Sequence, residues 1–163
     1  VLDARKEFSK LLDMAAQPSA PGVVKTNVKE LEEIMGDRVK EYLGSTCNGI
    51  LIDMHGETTS EKNAFGHFVD GKVSAVLGTH THIPTADARL LENKTAYQTD
   101  VGMTGDYDSV IGFDKFNPTH AFTKGYRAEG RFKPAEKKAK ICGAFIEIND
   151  KTGLADKIQT FQI

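Results

Sequence analysis

Hydrophobic positions along this chain recur with two different periods, and the changes of period mark its elements. From Leu2 to Ala16, Phe8, Leu11, Leu12 and Ala15 share one side of a helical projection with charges opposite, until Gln17-Pro18-Ser19-Ala20-Pro21-Gly22 breaks the pattern. A second helical stripe, Val28, Leu31, Ile34, Met35, Val39, Tyr42 and Leu43, opens at Asn27, which makes a capping box with Glu30, and Gly36 weakens its middle. The period then disappears: Gly49 to Met54 is a continuous apolar run of strand length. A short helix follows, capped by Ser60 or a preceding threonine, with Glu61 in its first turn and Ala64, Phe65 and Phe68 as its apolar face, and Asp70-Gly71 stops it. Val73 to Gly78 is a second strand-like run, so residues 49–78 read as a βαβ unit whose strands pair in parallel.

Farther along, Arg89-Leu90-Leu91 and Thr95 to Thr99 flank Glu92-Asn93-Lys94 as a hairpin, Asp100 to Asp106 supply a glycine-rich acidic loop, and a last hairpin turns at Asn149 to Gly153. Asp108 and Ser109 read as caps of the turn before Val110-Ile111-Gly112. The organisation expected is a helix plus Pro-rich linker over residues 1–26 and an α/β domain over 27–163. The first helix either packs on that domain or docks in a partner's groove.

Composition narrows the class. With 163 residues and 39% hydrophobic content the chain can bury a core, and its apolar runs are too short to cross a membrane. A net charge of -2 gives no general nucleic-acid footprint. The densest basic group, Lys133, Lys137, Lys138 and Lys140, reads as a solvated loop and strand start. Cys47 and Cys142 stand outside any ligand spacing and need no disulfide, which suits a reducing compartment. The chain begins at Val1, as a processed protein or a portion of a longer one does.

Candidate chemistry sits where the two strands end. The second strand delivers His80 and His82 at i, i+2, and the first delivers His55 followed by Gly56 and Glu57. In open α/β sheets ligands gather beyond the carboxyl ends of strands, and neutral imidazole is a good ligand for divalent transition metals. An isolated HxH is as often a surface histidine beside a turn histidine; a third histidine on the neighbouring strand end favours metal. Glu57 orients or ligates, Asp53 stands as an outer partner of a ligand, and Asp100, Gly102 and Asp106 shape the entrance to the site. His67, on the polar side of its helix, and His120, after Asn117-Pro118-Thr119, are bystanders.

Three runs, DMHGETTSEK at 53–62, GTHTHIPTAD at 78–87 and TDVGMTGDYDSVIG at 99–112, closely resemble the second half of YmdB-type calcineurin-like metallophosphoesterases, alphaproteobacterial members above all. The resemblance covers residues 49–163. It implies a two-metal phosphodiesterase centre of Fe, Mn or Zn, with His55 and His80 on one metal and His82 on the other. In that family the bridging carboxylate and remaining ligands come from the first half, and residues 1–48 contain no Glu-Asn pair, no Asn-His pair and no histidine. The expectation is therefore a truncated metallophosphoesterase-like α/β sandwich: a mixed sheet with helices and a carboxy-terminal antiparallel β portion, lacking the amino-terminal metal-binding half. Two functions follow. One is a pseudoenzyme, inactive alone, serving as structural or accessory subunit of a multi-subunit complex in the mitochondrial matrix. The other is a phosphodiesterase, mitochondrial or in a bacterial cytoplasm, whose remaining ligands come from another chain or an upstream segment.

Overall fold

The computed structural model describes residues 49–163; the two front helices, the linker and Cys47 lie outside the described residues. Strand β1 (Leu51–His55), helix α1 (Thr59–Phe68) and strand β2 (Ala75–Thr79) form the expected parallel βαβ unit, with Leu51 opposite Ala75 and His55 opposite Thr79. This register brings both histidine-bearing strand ends level. Strands β3 (Arg89–Leu90) and β4 (Ala96–Gln98) form the predicted hairpin, Lys94 turning at φ 71°, and β4 inserts parallel to β2. The sheet order is β1-β2-β4-β3, so three strands run parallel and β3 opposes them.

Burial explains the second apolar run, Val73 to Val76 being buried, whereas Leu51 of the first is 60% exposed. β4 and the residues beside it, Thr95 to Asp100, are buried throughout, and α1 covers one face of the sheet. The helix reaches it through Lys62, Gly66 and Val69, at i, i+4 and i+7, while Phe65 and Phe68 are half-buried and Ala64 is exposed. The apolar face is thus rotated from the one expected, because Gly66 lies against Tyr97 of β4: a Cβ there would sit 2.6 Å from the ring. His67 faces solvent.

Beyond β5 (Gly105–Asp106), helix α2 (Phe116–Lys124) carries His120, and β6 (Ala139–Lys140) pairs antiparallel with β5. Ser109 caps the turn before Gly112, as expected. Its hydroxyl bonds the Asp106 carbonyl and accepts the Gly112 N–H, and Asp108 instead takes Lys115 and Lys137 at 2.6 and 2.9 Å. Those two exposed ammonium groups hold the Asp108 carboxyl down to about 2. Lys133, Lys137, Lys138 and Lys140 are all exposed.

The last hairpin, β7 (Cys142–Ile148) and β8 (Ala155–Gln162), turns at Gly153 as expected. It packs on the sheet through small residues: Ala75, Ala96 and Ala155 are fully buried, with Ile146 and Ile158 against them. The Ala155 N–H donates to the Lys94 carbonyl at 3.0 Å, and the Ser74 hydroxyl donates to that of Gly153. The architecture is a mixed α/β sandwich. Among the described residues no helix is long and apolar enough to cross a membrane.

Candidate metal centre

The end of β2 is built by a close approach that only glycine permits. A Cβ on Gly78 would lie 1.8 Å from the Thr99 carbonyl oxygen, and the Gly78 carbonyl accepts Val101 N–H at 2.9 Å. The chain then leaves the strand in backbone conformations that side-chain-bearing residues rarely adopt. His80 has φ 137°, His82 φ 67° and Ile111, which meets His82, φ 48°. Strain of this kind persists only where surrounding contacts enforce it.

The enforcing contacts come from below. Lys62, 1% exposed, donates to the carbonyls of Thr79 at 2.8 Å and Thr99 at 3.1 Å and lies 3.4 Å from Asp100 Oδ2. Asp100 is itself fully buried, and accepts Thr81 N–H at 2.7 Å and Gly102 N–H at 2.9 Å. Burial alone pushes this carboxyl up. The two N–H donors, the Thr81 hydroxyl and the Lys62 charge outweigh it and leave the group below its ordinary value. Asp87 behaves likewise: burial is outweighed by Thr85, Thr99 and Arg89. Gly102, at φ 83°, packs against Pro84 and the Tyr107 hydroxyl.

Above this floor His55 and His80 meet. Their rings stand edge to face, centroids 5.1 Å apart, and His55 Nε2 lies 3.3 Å from His80 Nδ1. Behind His55, its Nδ1 is 3.0 Å from the Thr79 hydroxyl, which donates to Asp53 Oδ1 at 2.8 Å. His82 turns elsewhere: its Nδ1 is 2.8 Å from the Ile111 carbonyl, so Nδ1–H donates and Nε2 keeps its lone pair. The His82 carbonyl accepts Met103 N–H at 3.1 Å and lies 3.3 Å from the Tyr107 hydroxyl. Burial and the Cys142 thiol push the Tyr107 phenol up to about 12, so it stays a neutral donor. Glu57 is exposed, and Asp106 accepts the N–H groups of Asp108 and Lys137, away from the histidines.

Among the described residues no three His, Cys, Asp or Glu side chains converge closely enough to hold a cation. Two do fit one. A tetrahedral ion with bonds of about 2.0–2.1 Å places two ligand nitrogens roughly 3.3 Å apart, the separation seen between His55 and His80. His82 carries the arrangement of a metal-binding histidine, one ring N–H on a backbone carbonyl and the other nitrogen bare. Lys62, Thr79, Ile111 and Tyr107 escaped the sequence reading. Only Lys62 left a signal, a cation at i, i+4, i+7 with Gly66 and Val69.

A family described as YmdB-like protein matches residues 23–161. This corrects the expected boundary at 49. The family domain spans almost the whole chain, residues 23–48 included, and the reading of a carboxy-terminal fragment lacking its amino-terminal metal half is overturned. A 2',3'-cyclic-nucleotide 2'-phosphodiesterase from Bacillus subtilis (strain 168) is 48% identical over 114 residues, 70% of this chain and 42% of that protein. A relative from Mycoplasma genitalium is 41% identical over 125 residues, 76% of this chain and 44% of its own length. Among solved structures, a novel phosphatase from Mycoplasma pneumoniae superposes with TM-score 0.71 at 34% identity, over 91% of this chain and 50% of that one. A hypothetical protein from Thermus thermophilus gives 0.68 at 35%, over 88% and 52%. The chain thus spans less than half the length of these curated relatives.

Proposed function

The chain belongs to the YmdB-like family of calcineurin-like phosphoesterases, and from that premise we propose that its strand-end histidines form part of a centre for metal-assisted hydrolysis of a phosphodiester. The observation that carries this reading is the 3.3 Å approach of His55 Nε2 to His80 Nδ1. These two residues would hold one divalent cation, Fe, Mn or Zn, and His82 Nε2 would offer a further ligand position. When bound, the cation polarises a phosphoryl oxygen and acidifies a water.

The chain's own residues do the rest by orientation. Thr79 and the Ile111 carbonyl hold His55 and His82 by their far nitrogens, and the Lys62–Asp100 pair fixes the loop that carries His80 and His82. Remaining ligands come from residues outside 49–163 or from another chain. The name of the Bacillus relative points to a 2',3'-cyclic nucleotide as substrate.

A second reading rests on one observation, that among the described residues two side chains converge where a metal centre needs more. In it the chain is inactive by itself and serves as an accessory subunit of a larger assembly.

Titration of the metal-free chain with Mn2+, followed by assay on 2',3'-cyclic AMP, separates them. The expected result is a bound cation whose affinity falls by at least about 100-fold in His80→Ala, the upper end of what outer-sphere changes cost, together with hydrolysis. A cation bound without hydrolysis favours the accessory reading. No binding overturns the metal site.

A further inference from the structure

We infer that Thr79 is a positioning residue that locks the His55 side chain in its Nδ1–H form, so that Nε2 stands bare toward His80 before any cation arrives. The argument is a count of protons. The Thr79 hydroxyl owns one, and it points at Asp53 Oδ1, 2.8 Å away. An ionised carboxylate only accepts, so the Thr79 proton is committed to Asp53. The contact between Thr79 Oγ1 and His55 Nδ1, at 3.0 Å, then has one remaining solution, with Nδ1–H as donor and the hydroxyl lone pair as acceptor. A neutral imidazole protonated at Nδ1 has its free lone pair at Nε2, the atom that faces His80 at 3.3 Å.

The register makes the lock possible. Asp53, His55 and Thr79 project at the carboxyl ends of β1 and β2, where His55 is paired with Thr79 across the parallel ladder. Asp53 and His55, two residues apart on β1, share one face, so a single threonine on β2 reaches both. One consequence concerns His80. In the metal-free chain its Nδ1–H donates to His55 Nε2; with a cation between the two nitrogens that proton has to reside on Nε2 of His80. His55 is preset and His80 adjusts.

Rotation of the threonine is the alternative, and Asp53 opposes it. Turning the hydroxyl proton toward His55 would give up a charge-assisted bond to Asp53 for a weaker neutral one. The charged acceptor therefore decides which way the proton points.

The role of Thr79 toward a cation rests on the metal-site reading above; the lock itself does not, and the test keeps the two apart. Nitrogen-15 spectra of the metal-free full chain report the His55 tautomer directly, and Mn2+ titration reports affinity. In the wild type, His55 is expected as the Nδ1–H form. Thr79→Val, which keeps the β-branched shape but has no hydroxyl, should release it to a mixture with Nε2–H and weaken Mn2+ binding by about 10–100-fold, the usual effect of removing an outer partner of a ligand. Thr79→Ser should restore both. A purely structural threonine would leave the tautomer unmoved. His55 found as Nε2–H in the wild type, or an unchanged tautomer in Thr79→Val, overturns the inference. A locked His55 in a chain that binds no Mn2+ supports the lock and sinks the metal site.

Discussion

Asp100 and Lys62 form an ion pair that water does not reach, and its worth lies in what the two charges hold. Lys62 ties down the carbonyls that end β2 and β4, and Asp100 ties down the N–H groups of Thr81 and Gly102. Removing one partner leaves the other buried and uncompensated. Asp100→Asn should cost about 3 kcal/mol in urea unfolding at neutral pH, the low end for breaking a buried pair, because Lys62 keeps two carbonyl acceptors. The sign of the pH effect follows from the lowered carboxyl. Asp100 contributes stability that is full above its ordinary 3.8 and is lost as pH falls through the lower folded value. Wild-type stability should therefore fall more steeply than that of Asp100→Asn between about pH 5 and pH 3, and equal slopes would show that Asp100 is not the group responsible. At this scale the sequence displayed residue types and hid directions. His55, His80 and His82 were legible as histidines gathered at the ends of two neighbouring strands. That His82 faces the Ile111 carbonyl, 29 residues away, depends on left-handed backbone at both positions, a conformation His visits occasionally and β-branched Ile scarcely at all.

Among the elements, the βαβ unit was readable because two strand-length apolar runs enclose one helical period, and a parallel crossover is the solution such a pattern permits. The helix face was misplaced by the assumption that apolar residues alone point inward. Lys62 and Gly66 do instead, one to neutralise Asp100 and the other to admit Tyr97. This sets two effects against each other in Gly66→Ala. Alanine gains about 1 kcal/mol in helix propensity, whereas a Cβ placed 2.6 Å from the Tyr97 ring overpacks the helix–sheet contact, at about 1–3 kcal/mol. Net destabilisation is expected from thermal unfolding. A rise in melting temperature would mean that α1 has room to lift from the sheet. The hairpins at 92–94 and 149–153 were legible from turn residues flanked by alternating runs. The start of α2 was not, since Lys115 stands at its N-cap with no side-chain cap bond and gives its ammonium to Asp108 instead.

Across the whole molecule, scaffold and site occupy opposite ends of β2. The β7–β8 hairpin packs at Ala75, where the strand begins, and His80 follows where it ends, about 16 Å of extended chain away. Ala155→Leu should therefore strain the hairpin contact by about 1–3 kcal/mol and leave Mn2+ affinity unchanged. Loss of both would show that the hairpin supports the site through the sheet. The order of apolar runs, the turn residues and the three histidines at two strand ends were determined by the sequence itself, because spacing and side-chain type are local properties; so was the resemblance to a phosphoesterase family, though its reach to residue 23 was not. Tertiary structure alone decided which nitrogen of each histidine is bare, which of three histidines meet, and that a buried lysine underlies them. Those outcomes depend on register between β1 and β2 and on hydrogen bonds to groups 24 to 38 residues distant, which no single segment encodes.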